Sequence, residues 1–302
     1  PDKLATILST WKPHATENQT PANYKLYSAE DLHSAITNHE LVNYYQPKVS
    51  VRTGDVIGVE TLVRWHHATD GLIFPDRFIH LAEENHLINE LTTLVLTNAL
   101  NQAKVWHQSG LMLRVAINVS MDNLASLDFQ DLVVNLVTQA GLSPQSIVLE
   151  VTESQVMGAD ARVPLEILSR LRLKRFHLSI DDFGTGHSSM AQLRDIPFDE
   201  LKIDQGFVHR AWTDDTLRAI YDASLSMAKQ LDMETVAEGV EDQHDWELLR
   251  QTVAHGSRLL SLGCDLAQGN FVSKPLLATE FPNWVAAWQQ RVRTELFPQP
   301  EK

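Results

Sequence analysis

The chain of 302 residues contains a single cysteine, Cys264. That excludes an intrachain disulfide framework and zinc sites built on paired cysteines, and it fits a reducing cytoplasm. No apolar run approaches the roughly 18 residues that a membrane-spanning helix needs, so no span is expected. No basic leader with an apolar core opens the chain, which begins at Pro1 rather than Met, so a longer natural protein is expected. Positive charge is scarce: 25 Lys and Arg stand against 39 Asp and Glu, for a net charge of −14. So acidic a chain gains little from counterion release, which argues against DNA binding. A phosphate-bearing ligand would need local cations. No GxGxxG follows the first strand, which weakens an open dinucleotide-binding sheet. What is present is ordinary globular composition, 43% hydrophobic and 21% charged.

Residues 1–27 read as a separate piece. PDKLATILSTW puts Leu4, Ile7, Leu8 and Trp11 on one helical face, and a polar, proline-containing linker follows. A new helix is expected at Ser28, with Asp31 three residues on in a capping-box pattern. The main domain is expected over 28–290, with WVAAWQQRVRTELF (284–297) as a last amphipathic helix and 291–302 as the tail. Between these ends, short β-type runs alternate with helical stretches: IGVE (57–60), VAINVS (115–120), SIVLEVTE (146–153), HLSIDD (177–182), ELKID (200–204), ETVAEGVE (234–241) and CDLAQG (264–269). Alternating strand and helix units over this length predict a closed (β/α)8 barrel, with an open doubly wound sheet as runner-up.

In such a barrel the strand ends converge on one face, where active sites form. That face collects Glu60, Asn118, Glu150, Asp181, Asp182, Lys202, Asp204, Glu238 and Gln268. Any one of these has a bland reading. Asp-Asp before a glycine-rich turn often only caps it, a strand-end Glu is usually solvated, and Lys202 reads as a surface lysine. Together, so many carboxylates would repel and raise one another's pKa unless cations sat among them. Oxygen donors without Cys or His at these ends favour Mg²⁺ or Mn²⁺ over zinc.

At these residues the sequence resembles the EAL-domain family of cyclic di-GMP phosphodiesterases. The matching stretches are YYQPKV (44–49), GVETLVRW (58–65), FPDRFIHLAEE (74–84), INVS (117–120), LEVTES (149–154), SIDDFGTGHSS (179–189), ELKIDQGFV (200–208), VAEGVE (236–241) and GCDLAQGNFVSKPL (263–276). The resemblance implies a modified TIM barrel with one antiparallel strand, commonly a homodimer, that hydrolyses cyclic di-GMP to linear pGpG with two ions of Mg²⁺ or Mn²⁺. It implies metal ligands at Glu60, Asn118, Glu150, Asp181, Asp182 and Glu238, with Asp181 bridging. Lys202, Asp204 and Glu238 then stand in catalytic positions. Gln46, Arg64, Glu241 and Gln268 stand in substrate-binding positions, and Glu153 braces the DDFGTG loop.

The departures are Thr61 in the signature triplet, His80 where Pro is common, His187 where Tyr is usual, and Asn270 where Tyr is expected. None removes an implied ligand. A catalytically weak module that only binds cyclic di-GMP or a protein partner is the alternative, and such modules typically lose ligands that this chain retains. PDKLATILSTW also resembles the last helix of a receiver domain, which implies a response regulator with this output. Elsewhere structural readings suffice: His66 and His67 as solvated loop residues, Cys264 as a buried small hydrophobe, and Trp65, Trp106, Trp246, Trp284 and Trp288 as packing residues.

Overall fold

A computed structural model describes residues 26–152, 162–184, 198–250, 254–255, 258–259 and 263–297. Helix α1 (Ala29–Thr37) starts as expected at Ser28, whose Oγ accepts the Asp31 N–H at 3.1 Å while Asp31 accepts the Ser28 N–H at 2.9 Å. This reciprocal cap satisfies two of the donors that a helix start leaves open. Leu32, Ala35 and Ile36 then form its buried stripe.

Two antiparallel strands follow, β1 (Leu41–Ser50) and β2 (Val56–His67), with a short β3 (Gly71–Ile73) beside β2. After α2 (Ile79–Glu84) and α3 (Ile88–Gln108), strand and helix alternate as β4 (Arg114–Asn118), α4 (Asp128–Ala140), β5 (Ile147–Thr152), α5 (Arg162–Leu173), β6 (His177–Phe183), β7 (Glu200–Ile203), α6 (Gln205–Val208), α7 (Asp215–Gln230), β8 (Glu234–Ala237) and α8 (Gln243–Leu249). The pair β9 (Ala254–His255) and β10 (Arg258–Leu259) forms its own small ribbon. Strands β11 (Leu266–Ala267) and β12 (Leu276–Leu277) precede α9 (Phe281–Arg291), which runs on into a π-helical turn over Val292–Leu296.

Strands β2, β4, β5, β6, β7, β8 and β11 pair in that order, all parallel. Strand β1 lies between β11 and β2, antiparallel to both, and closes the ring. The expected barrel with one antiparallel strand is therefore present.

Two local expectations differ. Strand β2 does not stop at Glu60 but runs on to His67, because β1 and β3 pair with its far end through Leu41↔Trp65 and Trp65↔Ile73. His66 and His67 thus lie in a strand rather than a loop. The last helix starts earlier than expected, at Phe281, with Pro282 in its first turn. Its Trp288 is buried and donates Nε1–H to the Gly54 carbonyl at 2.8 Å, tying the chain end to the β1–β2 turn. Phe297 lies under the Arg250 guanidinium at 4.4 Å. The expected leading helix falls within residues 1–25, which lie outside the described residues.

Cys264 is buried as expected, with Sγ 3.3 Å from the Leu266 carbonyl. Burial pushes its thiol from an ordinary 9.0 up to about 12. The unfolded chain releases this proton near pH 9 and the folded chain retains it, so stability must fall as pH rises from 9 toward 12. The slope is up to ~1.4 kcal/mol per pH unit. Urea unfolding at pH 7.5, 8.5 and 9.5 should show the decline setting in around pH 8.5, and Cys264→Ala should reduce it there; nearer pH 10 the buried Tyr45 and Tyr221, also raised by burial, add a decline of the same sign.

Candidate functional site

The strand ends carry their side chains to one mouth. Glu60 projects from β2, Asn118 from β4, Glu150 from β5, Asp181 from β6, Lys202 from β7 and Gln268 from the turn after β11, while Glu238 follows β8 directly. Strand alternation places Glu60, Leu62 and Arg64 of β2 along one cavity of about 360 Å³. Gln46 lies directly opposite Glu60 on β1 and lines the same cavity with Asp182, Asp204, Glu238, Glu241, Gln268 and Asn270.

Two adjacent aspartates would normally point to opposite faces of a strand. Here the β6–β7 register slips between Ile180 and Phe183, and Asp182 adopts a left-handed backbone at φ 54°. Asp tolerates that region better than most residues, and the irregularity turns both carboxylates toward the mouth. Asp181 Oδ1 accepts the Asp182 N–H at 2.9 Å.

The Lys202 ammonium sits at the centre. It lies 2.8 Å from Glu238, 2.9 Å from Asp181, and 3.4 Å from both Glu60 and Glu150. Asn118 Nδ2 donates to Glu60 Oε1 at 3.1 Å, and Gln268 Nε2 to Glu60 Oε2 at 2.6 Å. The same Gln268 nitrogen reaches Gln46 Oε1 at 3.0 Å, while Gln268 Oε1 is buried with no hydrogen-bond partner.

These contacts set the protonation of the cup. Burial alone would raise every carboxyl here. At Glu60, Lys202 and Lys48 override burial and, with hydrogen bonds from Gln268 and Asn118, hold the group at about 2. At Glu150 burial prevails over the same two lysines and leaves it at about 7. At Glu238 burial, with Asp181 and Glu60, prevails over Lys202 and leaves it at about 8. Asp182 is raised by burial and by Asp181. Lys202 stays well above the ordinary lysine value because Glu150, Glu238, Glu60 and Asp181 outweigh its own burial.

The donor set fits divalent metal. Carboxylate oxygens of Glu60, Glu150 and Asp181 lie within 4.8 Å of one another, and so do those of Asp181, Asp182 and Glu238. Asp181 belongs to both groups. All these donors are oxygen, and the Asn118 amide leaves its carbonyl oxygen free on the same wall, as hard cations require. The acidic clusters are thus able to hold metal, with Lys202 at their centre.

The other expected site residues are distributed around this centre. Arg64 lies over the Phe74 ring at 5.0 Å and donates to the Val63 carbonyl. Glu241 accepts both hydrogen bonds of the Asn270 amide, at 3.0 and 3.1 Å. Asp204 reaches the cavity, but its Oδ1 is engaged as the cap of α6, 2.8 Å from the Gly206 N–H. Glu153 and His187 lie outside the described residues. Two further residues, Lys48 and Glu200, carry no motif of their own in the sequence and lie buried beneath the cup; Lys48 Nζ lies 2.7 Å from Glu150 and 2.9 Å from Glu200. The available signal was strand alternation, since Lys48 lies two residues beyond Gln46.

The turns behind the cavity are close-fitted. Gly269 has φ 153°, and a Cβ there would overlap the backbone of Val240, whose N–H donates to Gln268 and whose carbonyl accepts from Phe271. Gly269→Ala should force these two turns apart, lowering the melting temperature by several degrees and raising KM for the cavity's ligand. Unchanged melting and unchanged KM would show that the turns have slack the packing does not suggest.

Comparison with known proteins identifies the family. The profile described as EAL domain matches residues 29–275, and the chain belongs to that family. It is 38% identical over 260 residues to the bifunctional diguanylate cyclase/cyclic di-GMP phosphodiesterase MucR of Pseudomonas aeruginosa, covering 86% of this chain and 36% of that one. It is 38% identical over 270 residues to the cyclic di-GMP phosphodiesterase NbdA of the same organism, covering 89% of this chain and 33% of that one. The chain thus spans about a third of the length of these curated relatives. Among solved structures, the PaMucR phosphodiesterase in complex with c-di-GMP superposes with a TM-score of 0.76 at 38% identity, covering 83% of this chain and 98% of that one. The EAL enzyme Bd1971 with cAMP and cyclic di-GMP bound gives 0.77 at 27% identity, covering 85% and 67%.

Proposed function

We propose that this chain hydrolyses one phosphodiester bond of cyclic di-GMP, giving linear pGpG. The observation that carries the reading is the cup itself, in which carboxylates from separate strands surround one buried lysine at the floor of a cavity. Its relatives' names point to the same substrate. Two divalent ions, Mg²⁺ or Mn²⁺, held by Glu60, Asn118, Glu150 and Asp181 and by Asp181, Asp182 and Glu238, would offset phosphoryl charge and make a water more acidic. The protein's own groups do the rest. With cations beside it Glu238 would be ionised and able to take the proton of the attacking water, while Lys202 orients that water and meets developing charge on a phosphate oxygen. Arg64 pairs with the phosphate. Gln46, Glu241 and Gln268, which line the cavity, supply hydrogen-bond partners to the guanine edges. Asp204 supports this arrangement through the cap of α6. Glu153 braces the loop that follows Asp182, and a homodimer couples through that loop. No helix among the described residues is long and apolar enough to cross a membrane. A cytoplasmic enzyme is the corresponding reading, with 28–290 as the catalytic unit.

The test is direct. The purified chain is incubated with cyclic di-GMP in Mg²⁺, in Mn²⁺ and in chelator, and pGpG is followed by chromatography. Metal-dependent pGpG is the expected result. Tight binding without product would replace the enzyme with a receptor, and neither binding nor product would remove cyclic di-GMP from the account.

A further inference from the structure

Beneath the cup lies a second buried ionic layer with no part in the mechanism above. Lys48 enters from β1 with its side chain 4% exposed. Its Nζ lies 2.7 Å from Glu150 Oε1 and 2.9 Å from Glu200 Oε1, and Ser179 Oγ donates to the same Glu200 oxygen at 2.8 Å. The two oxygens of Glu150 are therefore divided. Oε1 is held from below by Lys48, while Oε2 faces upward to Lys202 at 3.4 Å.

Burying this ionic group is expensive, and replacing all of it by apolar residues of similar volume is often neutral or stabilising, so stability alone does not account for a lysine here. Lys48 does not line the substrate cavity. Its nearest functional neighbour is Glu150, which has no exposed surface and few ways to be held. Without Lys48, Oε1 of Glu150 would lie buried and unpaired, and nothing would fix which oxygen faces the cup.

We propose that Lys48 is a positioning residue for metal binding: it pins Oε1 of Glu150, so that this carboxylate presents Oε2 alone to a divalent cation. The inference rests on the reading of the cup as a metal site. Groups that orient a ligand from behind typically change metal affinity by about 10- to 100-fold when removed.

The experiment is a Mn²⁺ titration followed by the electron paramagnetic resonance of the free ion, with wild type, Lys48→Met, Glu200→Gln and the double variant. The double variant removes one charge of each sign, so it folds if Lys48→Met alone does not. The Kd for Mn²⁺ should rise at least about tenfold in both variants lacking Lys48 and stay at the wild-type value in Glu200→Gln. Where turnover is measurable, kcat at saturating Mn²⁺ should recover while the Mn²⁺ concentration needed for half activity shifts. An unchanged Kd in the folded double variant would overturn the proposal. So would an equal rise in Glu200→Gln, which would assign the effect to the barrel's charge balance. A wild type that binds no Mn²⁺ would overturn the metal reading itself, and this proposal with it.

Discussion

Replacing Glu238 by Gln should abolish turnover of cyclic di-GMP, with kcat lower by about a thousandfold or more, and leave the barrel folded. A positioned general base contributes typically ~10²–10⁴, and the same side chain also belongs to one of the two carboxylate groups. The fold should survive for a local reason. Lys202 loses the charge of one partner at 2.8 Å but retains Asp181 at 2.9 Å, with Glu60 and Glu150 at 3.4 Å. The Glu238 backbone N–H still donates to the Ile203 carbonyl at 3.1 Å. Circular dichroism and thermal melting serve as controls, and steady-state kinetics give the answer. Near-normal kcat in the folded variant would take Glu238 out of the proton-transfer step.

Asp181→Asn should be the more general lesion. This carboxylate alone belongs to both oxygen groups, so one substitution removes a charge from each. We expect kcat/KM to fall by at least about a thousandfold and the number of tightly bound Mn²⁺ ions to drop, because hard cations depend on anionic oxygen. Asp182→Asn, which touches only one group, should retain binding at the other. Stability should move in the opposite direction. In the metal-free protein Asp181 helps raise its neighbours Glu150, Glu238 and Asp182, so removing it relieves repulsion. The metal-free variant should therefore melt at or above the wild-type temperature. A lower melting point would mean that the Lys202 contact outweighs that repulsion.

Seven of the eight barrel strands were legible as alternating β-type runs, and the acidic convergence at their ends followed once the barrel was assumed. The strand that closes the ring was not read from pattern. In LVNYYQPKVS, Pro47 argues against a paired strand, since it has no N–H to donate. The structure shows how it is accommodated. Towards β11 and β12, β1 pairs only at Val49 and Ser50 and at Tyr44 and Tyr45, so Pro47 falls in the gap between the two contacts. Missing that strand meant missing Lys48, because a lysine after a proline reads as solvated. The Asp181–Asp182 pair was legible as a site but not as a geometry, because the register slip and the left-handed backbone depend on β7 being alongside. The EAL resemblance supplied residue roles that patterning could not; Glu153, within 153–161, and His187, within 185–197, lie in stretches where the structure describes nothing.

The direction of β1 also determines where the barrel is connected to what precedes it. In a barrel whose strands all run one way, the first strand starts at the floor, far from the chemistry. Here Leu41 pairs with Trp65, beyond Glu60 on the mouth side of β2, and Tyr27 packs on that same tryptophan at 4.8 Å. Helix α1 and the residues leading into it are therefore anchored at the rim. A twist or pull applied to Ser28 is delivered beside Arg64 and the cavity mouth, rather than through the length of the core. The reversed strand turns the barrel's entry point into a handle on its open end.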